Sequence, residues 1–428
     1  MQTSRAFVVL VLACVIAGHL LLVAQGGDVS AVTIDHAAIQ YMTRPTRDAV
    51  AELNRKIQAG QAKLAFDGRL GYLRSVLAAL DVPIESQTLV YSPTSVQAEH
   101  ISETTPRALY FNDTVAVGWV NEGEVLEVAA LDPEQGEIFW TLSQKPQPQP
   151  QFVRSRQCLE CHLSDSTSGV PGLLVMSTLP LSDNQNEYAQ GWAVDYRTPI
   201  EDRWGGWYVT GARVPARHLG NVQVNHAPRS YVRATVAPVL ATVTGKVGTG
   251  SYLTPYSDVV SLLILNHQAR MTDLLTRLGW ETRVAAHNAG GQAASLPPRV
   301  REAANDVVDY MLFVDEANLS AAVSGSSGFA ETFSKRGPRD SKGRSLRDLD
   351  LGHHLLRHRC SYMIYTPAFD ALPAPARQAV YARLWDILSG KENDKRYGQL
   401  PLTERAAIIE ILRDTKKGLP DYFQPITR

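Results

Sequence analysis

Residues 107–142 read RALYFNDTVAVGWVNEGEVLEVAALDPEQGEIFWTL, and their pattern decides the fold class. Four short runs, 108–111, 115–120, 125–131 and 138–142, are dense in Val, Ala, Leu and aromatic residues, with turn signals at Asn121-Glu-Gly123 and Asp132-Pro-Glu-Gln-Gly136 between them. Short apolar runs bounded by Asn, Asp, Pro and Gly predict consecutive strands of an antiparallel meander.

Downstream, Gln144-Lys-Pro-Gln-Pro-Gln-Pro-Gln151 alternates proline with polar residues, which favours an extended, unpaired segment. It leads to Cys158. Strand-like runs resume at 172–179, 191–195 and 206–210, so the stretch around Cys158 reads as a loop or short helix between sheet-forming segments. Beyond residue 252 the period becomes helical. Ser257 offers an N-cap, 258–278 is a long apolar-periodic helix and Gly279 is its stop signal, with further helices at 299–316, 376–388 and 403–417. The small-residue stretches 288–295 and 324–328 read as mobile loops. Upstream, 46–60 and 69–80 have helical spacing, and the polar remainder up to 105 is bracketed by Pro93 and Pro106.

These elements sum to an α+β fold: a central antiparallel β-sheet interrupted by the Cys158 loop, a helical N-terminal leader and a helical C-terminal region. The boundaries fall at 1–26 (signal or anchor), 27–105 (leader), 106–250 (β-rich domain) and 251–428 (helical region).

The first segment is an export signal in form. Arg5 precedes the apolar run 6–24, AFVVLVLACVIAGHLLLVA, and the chain turns polar at Gln25-Gly-Gly-Asp28. The run reads as a cleaved secretory peptide or as a retained membrane anchor, with Gly18 and His19 weakening it as a permanent span. The expected location is periplasmic or otherwise extracytoplasmic. The 42 basic and 43 acidic side chains leave a net charge of −1, without the basic excess of a nucleic-acid binder. There is no G-x-S-x-G, H-E-x-x-H or G-x-x-x-x-G-K-[ST] motif to support a hydrolase or nucleotide reading.

Four cysteines make no disulfide framework: Cys14 belongs to the apolar run, Cys360 reads as a small buried hydrophobe, and Cys158 and Cys161 stand together. The pair lies in Cys158-Leu159-Glu160-Cys161-His162, a C-x-x-C-H pattern that arises by chance in roughly one chain in a thousand of this composition. Thiols three positions apart lie on one side of a helical turn, where both can bond the vinyl groups of one porphyrin while the adjacent imidazole reaches its iron. A zinc site would need two more ligands, and the cluster His353, His354 and His358 is about 190 residues away. A redox dithiol would need a βαβ setting, which the strand-rich surroundings do not supply.

At Cys158–His162 the chain resembles the c-type cytochromes, and it looks like the large exported monohaem members of that group. The resemblance covers those five residues. It implies one covalent haem c on Cys158 and Cys161, His162 as proximal iron ligand, an oxidising compartment, and single-electron transfer to a redox partner protein. The motif lies mid-chain among strands, unlike the small helical cytochromes, and this setting is similar to haem-bearing sensory domains of the PAS or Cache type.

The group opposite His162 decides between carrier and sensor, because a second strong ligand closes the iron. His267 is the first candidate: Leu263, His267, Met271, Leu274 and Leu278 share one helical stripe. His218, after the aromatic run 203–211, is the second, and Met176 and Met271 offer thioethers. An open position would instead make the chain a gas-binding or sensing module. Arg154, Arg156 and Arg203 read first as surface residues and second as partners of haem propionates.

Overall fold

A computed structural model describes residues 30, 32–178, 191–222, 237–248, 250–291 and 296–425; the apolar run 6–24 lies outside them. The fold is α+β. Six strands form one antiparallel meander in chain order: β1 (Thr88–Val90), β2 (Arg107–Phe111), β3 (Val115–Trp119), β4 (Val125–Asp132), β5 (Gly136–Ser143) and β6 (Phe152–Arg154). The four strands foreseen from 107–142 are all present. Gly136 closes the β4–β5 turn at φ 85°, a conformation that favours glycine.

Alternation gives the sheet two faces. On one, Tyr110, Val117, Trp119, Leu126, Val128 and Leu142 are buried with Val50, Leu53 and Ile57 of α1 (Ala49–Gln58) and Leu73, Val76 and Leu77 of α2 (Leu73–Ala79). On the other lie two cross-strand rows set by the register: Phe111, Ala116, Ala129 and Phe139, then Leu109, Gly118, Glu127 and Thr141. The short helix α3 (Leu159–His162) lies on this second face, with the Phe139 and His162 rings 4.9 Å apart.

The long helix α4 (Val259–Asn288) passes one end of the sheet, where Gln268 Nε2 donates to the Asn112 carbonyl (2.5 Å) and a Cβ on Gly136 would lie 2.5 Å from Thr276. Its residues are buried almost all round from Val259 to Thr282, as a central helix requires. Around it pack α5 (Pro298–Met311), α6 (Phe329–Lys335), α7 (Pro367–Asp370), α8 (Ala374–Leu388) and α9 (Leu402–Thr415), in one apolar core that also reaches Phe111 and Leu131 of the sheet. Among the described residues, no helix is long and apolar enough to cross a membrane.

Several expectations change. Strands β1 and β6 were not foreseen: three residues are too few to show alternation, and tertiary bonds hold β1, with the Leu89 N–H on Ser257 Oγ (2.9 Å). The leader therefore contributes a strand to the sheet. The runs at 172–179 and 191–195 reduce to the two-residue strands β7 (Met176–Ser177) and β8 (Trp192–Ala193), and 206–210 makes only single bridges. Gly205 and Gly206 lie against Thr178 and Ser92 too closely for side chains. Asp258, not Ser257, caps α4: its Oδ1 accepts from the Val260 and Ser261 N–H groups, and its Oδ2 from those of Ser326 and Ser327. The 324–328 stretch is thereby pinned to the helix start. Gly279 does not stop α4, because burying Trp280 and Thr282 outweighs the roughly 1 kcal/mol helix penalty of glycine.

Candidate functional site

Cys158 stands at the N-cap of α3, and the His162 N–H closes the turn on the Cys158 carbonyl at 2.9 Å. That single turn brings together the three residues singled out from the sequence. Cys158 is half-buried, with its thiol 3.4 Å from Ser155 Oγ, and burial pushes its pKa up; Cys161 is exposed, and both are free thiols. His162 is oriented by the backbone. Its Nδ1 lies 2.9 Å from the Gly172 carbonyl oxygen, which can only accept, so Nδ1 carries the proton and Nε2 keeps its lone pair. Burial also depresses the His162 pKa, which keeps the ring neutral and able to ligate.

Beside this turn the sheet face is floored by small side chains. Ala116, Gly118 and Ala129 occupy its middle, Leu109 and Ala116 are half-buried, and Phe139 rises next to the imidazole. Arg107 and Glu127 form an ion pair at its rim (2.9 Å), and Glu127 also accepts from Ser95 and Gln97. Two free thiols and an imidazole nitrogen left available on one turn are groups that could hold a haem covalently.

Three consecutive residues behind His162 tie the site to the rest of the fold. The Pro171 carbonyl accepts from the Glu137 N–H (3.3 Å), Gly172 exchanges bonds with His162, and the Leu173 N–H donates to Asp273 Oδ1 on α4 (3.2 Å). Gly172 is required at that place: a Cβ there would lie 2.0 Å from Asp273 Oδ1. Glu137 is 4% and Asp273 1% exposed, and one oxygen of each, Oε2 and Oδ2, has no hydrogen-bond partner. Burial pushes the Glu137 carboxyl up to about 8, and it holds Asp273 well above the ordinary carboxylate range. None of Gly172, Glu137, Asp273 or the small-residue floor was picked out beforehand; the alternation of 107–142 carried the signal for the floor alone.

The two histidines expected across the iron are not brought to the motif. His267 precedes Asp273 by six residues, about 9 Å along the helix and about 120° around it. Its ring stacks on Phe313 (4.6 Å) and Tyr310 (5.4 Å), with Tyr196 and Tyr362 around it, and its Nε2 is 2.7 Å from Ser361 Oγ. Burial drives its pKa down to about 3. The stripe correctly marked a buried histidine; the neighbours that enclose it come from distant parts of the chain. His218 packs edge-on to Trp204 at 5.6 Å, 2% exposed, with neither ring nitrogen hydrogen-bonded and its pKa lowered to about 4 by burial.

Arg203 is not a surface residue: it is buried, donating to the Thr198 and Tyr196 carbonyls at 2.6 Å. Arg154 lies over the Tyr41 ring at 4.6 Å, and Arg156 is exposed. Cys360 is fully buried. His354 pairs with Glu316 at 2.8 Å, and among the described residues no group of three or more His, Cys, Asp or Glu could hold a metal ion. Comparisons with known protein families, curated proteins and solved structures return no match for this chain.

Proposed function

We propose that the chain is an exported monohaem c-type cytochrome that transfers single electrons, with Cys158 and Cys161 as thioether anchors and His162 as the proximal iron ligand. The observation that carries this reading is the His162 Nδ1 to Gly172 carbonyl bond, which fixes the tautomer that leaves Nε2 for iron, on the same turn as two free thiols. Bound there, haem c supplies a one-electron couple. The protein's part would be to hold it: Cys158 and Cys161 would each form a thioether by adding across a vinyl group, sulfur to one carbon and hydrogen to the other, and His162 would ligate the iron. The bond to the Gly172 carbonyl would make His162 a stronger donor to iron. Exposed Cys161 sets one edge at the surface, where a redox partner protein in the periplasm or another extracytoplasmic space would meet it. Segment 6–24 would direct export and, if uncleaved, anchor the chain.

The test is expression of the full chain with a haem c maturation system. The expected result is a mass increase of one haem that survives denaturation, lost in a Cys158→Ala, Cys161→Ala double variant; a parent chain that gains no such mass refutes the proposal.

The enclosure of His267 and His218 favours a second reading, a haem module with an open iron position that binds a gas such as CO, NO or O₂. A reduced spectrum that shifts under CO selects this reading, and one indifferent to CO selects the closed carrier.

A further inference from the structure

His162 and Gly172 are joined twice. The Gly172 N–H donates to the His162 carbonyl (3.0 Å), and His162 Nδ1 lies 2.9 Å from the Gly172 carbonyl oxygen. These bonds close residues 163–171 into a loop that begins and ends at the imidazole. The loop has internal order of its own: Ser164 and Thr167 form a capping box, the Gly169 N–H returns to the Ser164 carbonyl (2.9 Å), and Thr167, Ser168 and Val170 are fully buried.

Helix α4 grips this loop at two points. Arg270 Nη1 donates to Ser168 Oγ (2.6 Å) in its middle, and Asp273 Oδ1 accepts from the Leu173 N–H (3.2 Å) just past its end. Residues three apart share a helix face, so one face of α4 presents both. The second contact is close: a Cβ on Gly172 would lie 2.0 Å from Asp273 Oδ1, an approach that glycine allows.

We propose that Arg270 and Asp273 are positioning residues for His162: by clamping the 163–173 segment they hold the Gly172 carbonyl where it accepts from Nδ1–H, and so keep Nε2 bare for iron. The use of that nitrogen rests on the haem reading above; the tautomer itself needs no haem. A neutral imidazole carries one ring proton, and the nitrogen whose hydrogen has an acceptor keeps it. With the carbonyl displaced, Nδ1–H would lose its acceptor. The Nδ1–H bond would then break and an Nε2–H bond form, water carrying the proton, and the lone pair that ligates iron would be lost.

The test is nitrogen NMR of the full chain, labelled in histidine and produced without haem maturation, with the His162 signals assigned by their absence in His162→Gln. The parent is expected to show a protonated Nδ1 and a bare Nε2. In Asp273→Ala and in Arg270→Met the Nε2-protonated form should become the major one, whereas Asp273→Asn, whose side-chain carbonyl can accept the same bond, should restore the parent pattern. A parent protonated on Nε2 overturns the proposal, as does the parent pattern kept in either folded variant, or failure of Asp273→Asn to restore it. Should Asp273→Ala not fold, Arg270→Met, at a half-buried position, decides by the same readout. Covalent haem is read separately, by mass after maturation: its absence refutes the haem reading, and an unmoved tautomer refutes this inference alone.

Discussion

On one face of the sheet Tyr110, Val117, Trp119, Leu126 and Val128 are sealed beneath α1 and α2, whereas on the other the same strands present Leu109, Ala116, Gly118 and Ala129 beside a cysteine-bearing turn. The backbone is common to both faces, so the contrast lies in alternate residues alone. The first face is filled to core density by large side chains. The second has smaller side chains in its middle and carries buried or paired groups that can hold charge: Glu127 with Arg107, and Glu137.

The contrast is most sharply broken from the sealed side. Trp119→Ala would empty a fully buried site and cost about 3–5 kcal/mol, read as a drop in the denaturant midpoint. On the other face Ala116, Gly118 and Ala129 have no large side chain to remove, and Phe111 and Phe139 are the buried exceptions.

Next comes the pH dependence of stability. Glu137 holds its proton up to about pH 8 in the folded state, while the unfolded chain releases it near the ordinary value of 4.5. The unfolded state therefore binds fewer protons between those values, and folding stability falls as pH rises through that window, by an amount on the order of a few kcal/mol. Glu137→Gln should reduce that slope in denaturant titrations run at several pH values, the remainder coming from Asp273, which burial also raises; a slope unchanged in the variant would show that the Glu137 carboxyl is not held neutral.

Gly172→Ala is expected to cost about 1–3 kcal/mol in thermal or chemical unfolding, because the new methyl meets Asp273 Oδ1 and pushes the His162 carbonyl partner aside. The smallest stability effect belongs to the floor. Ala116→Leu, at a half-buried position, should change stability by less than about 1 kcal/mol yet reduce the yield of covalent haem, measured by mass; full yield would mean that this face is not where the macrocycle lies.

How much of this was legible follows from where each signal resides. The meander could be read because apolar runs and turn residues alternate within 107–142 itself, and the cysteine turn because its spacing is local. β1 escaped, since three residues have no period and their bonds come from Ser257 and from β2. His267 was read as buried on good grounds, but the residues that bury it, Tyr196, Tyr310, Phe313 and Tyr362, lie 43 to 95 positions away and leave no local trace. The Gly172 carbonyl was beyond reach for a different reason: every residue has one, and only the folded loop gives it a partner.

The Leu173 to Asp273 bond spans 100 residues, and the Gln268 to Asn112 bond 156. For a chain that emerges amino end first, strands β2 to β6 and the Cys158–Cys161 turn are therefore complete well before α4 arrives to close over them. Long-range closure of this kind is slow. The order of synthesis thus leaves an interval in which the Cys158–Cys161 turn has formed but the helix that locks its loop has not yet arrived.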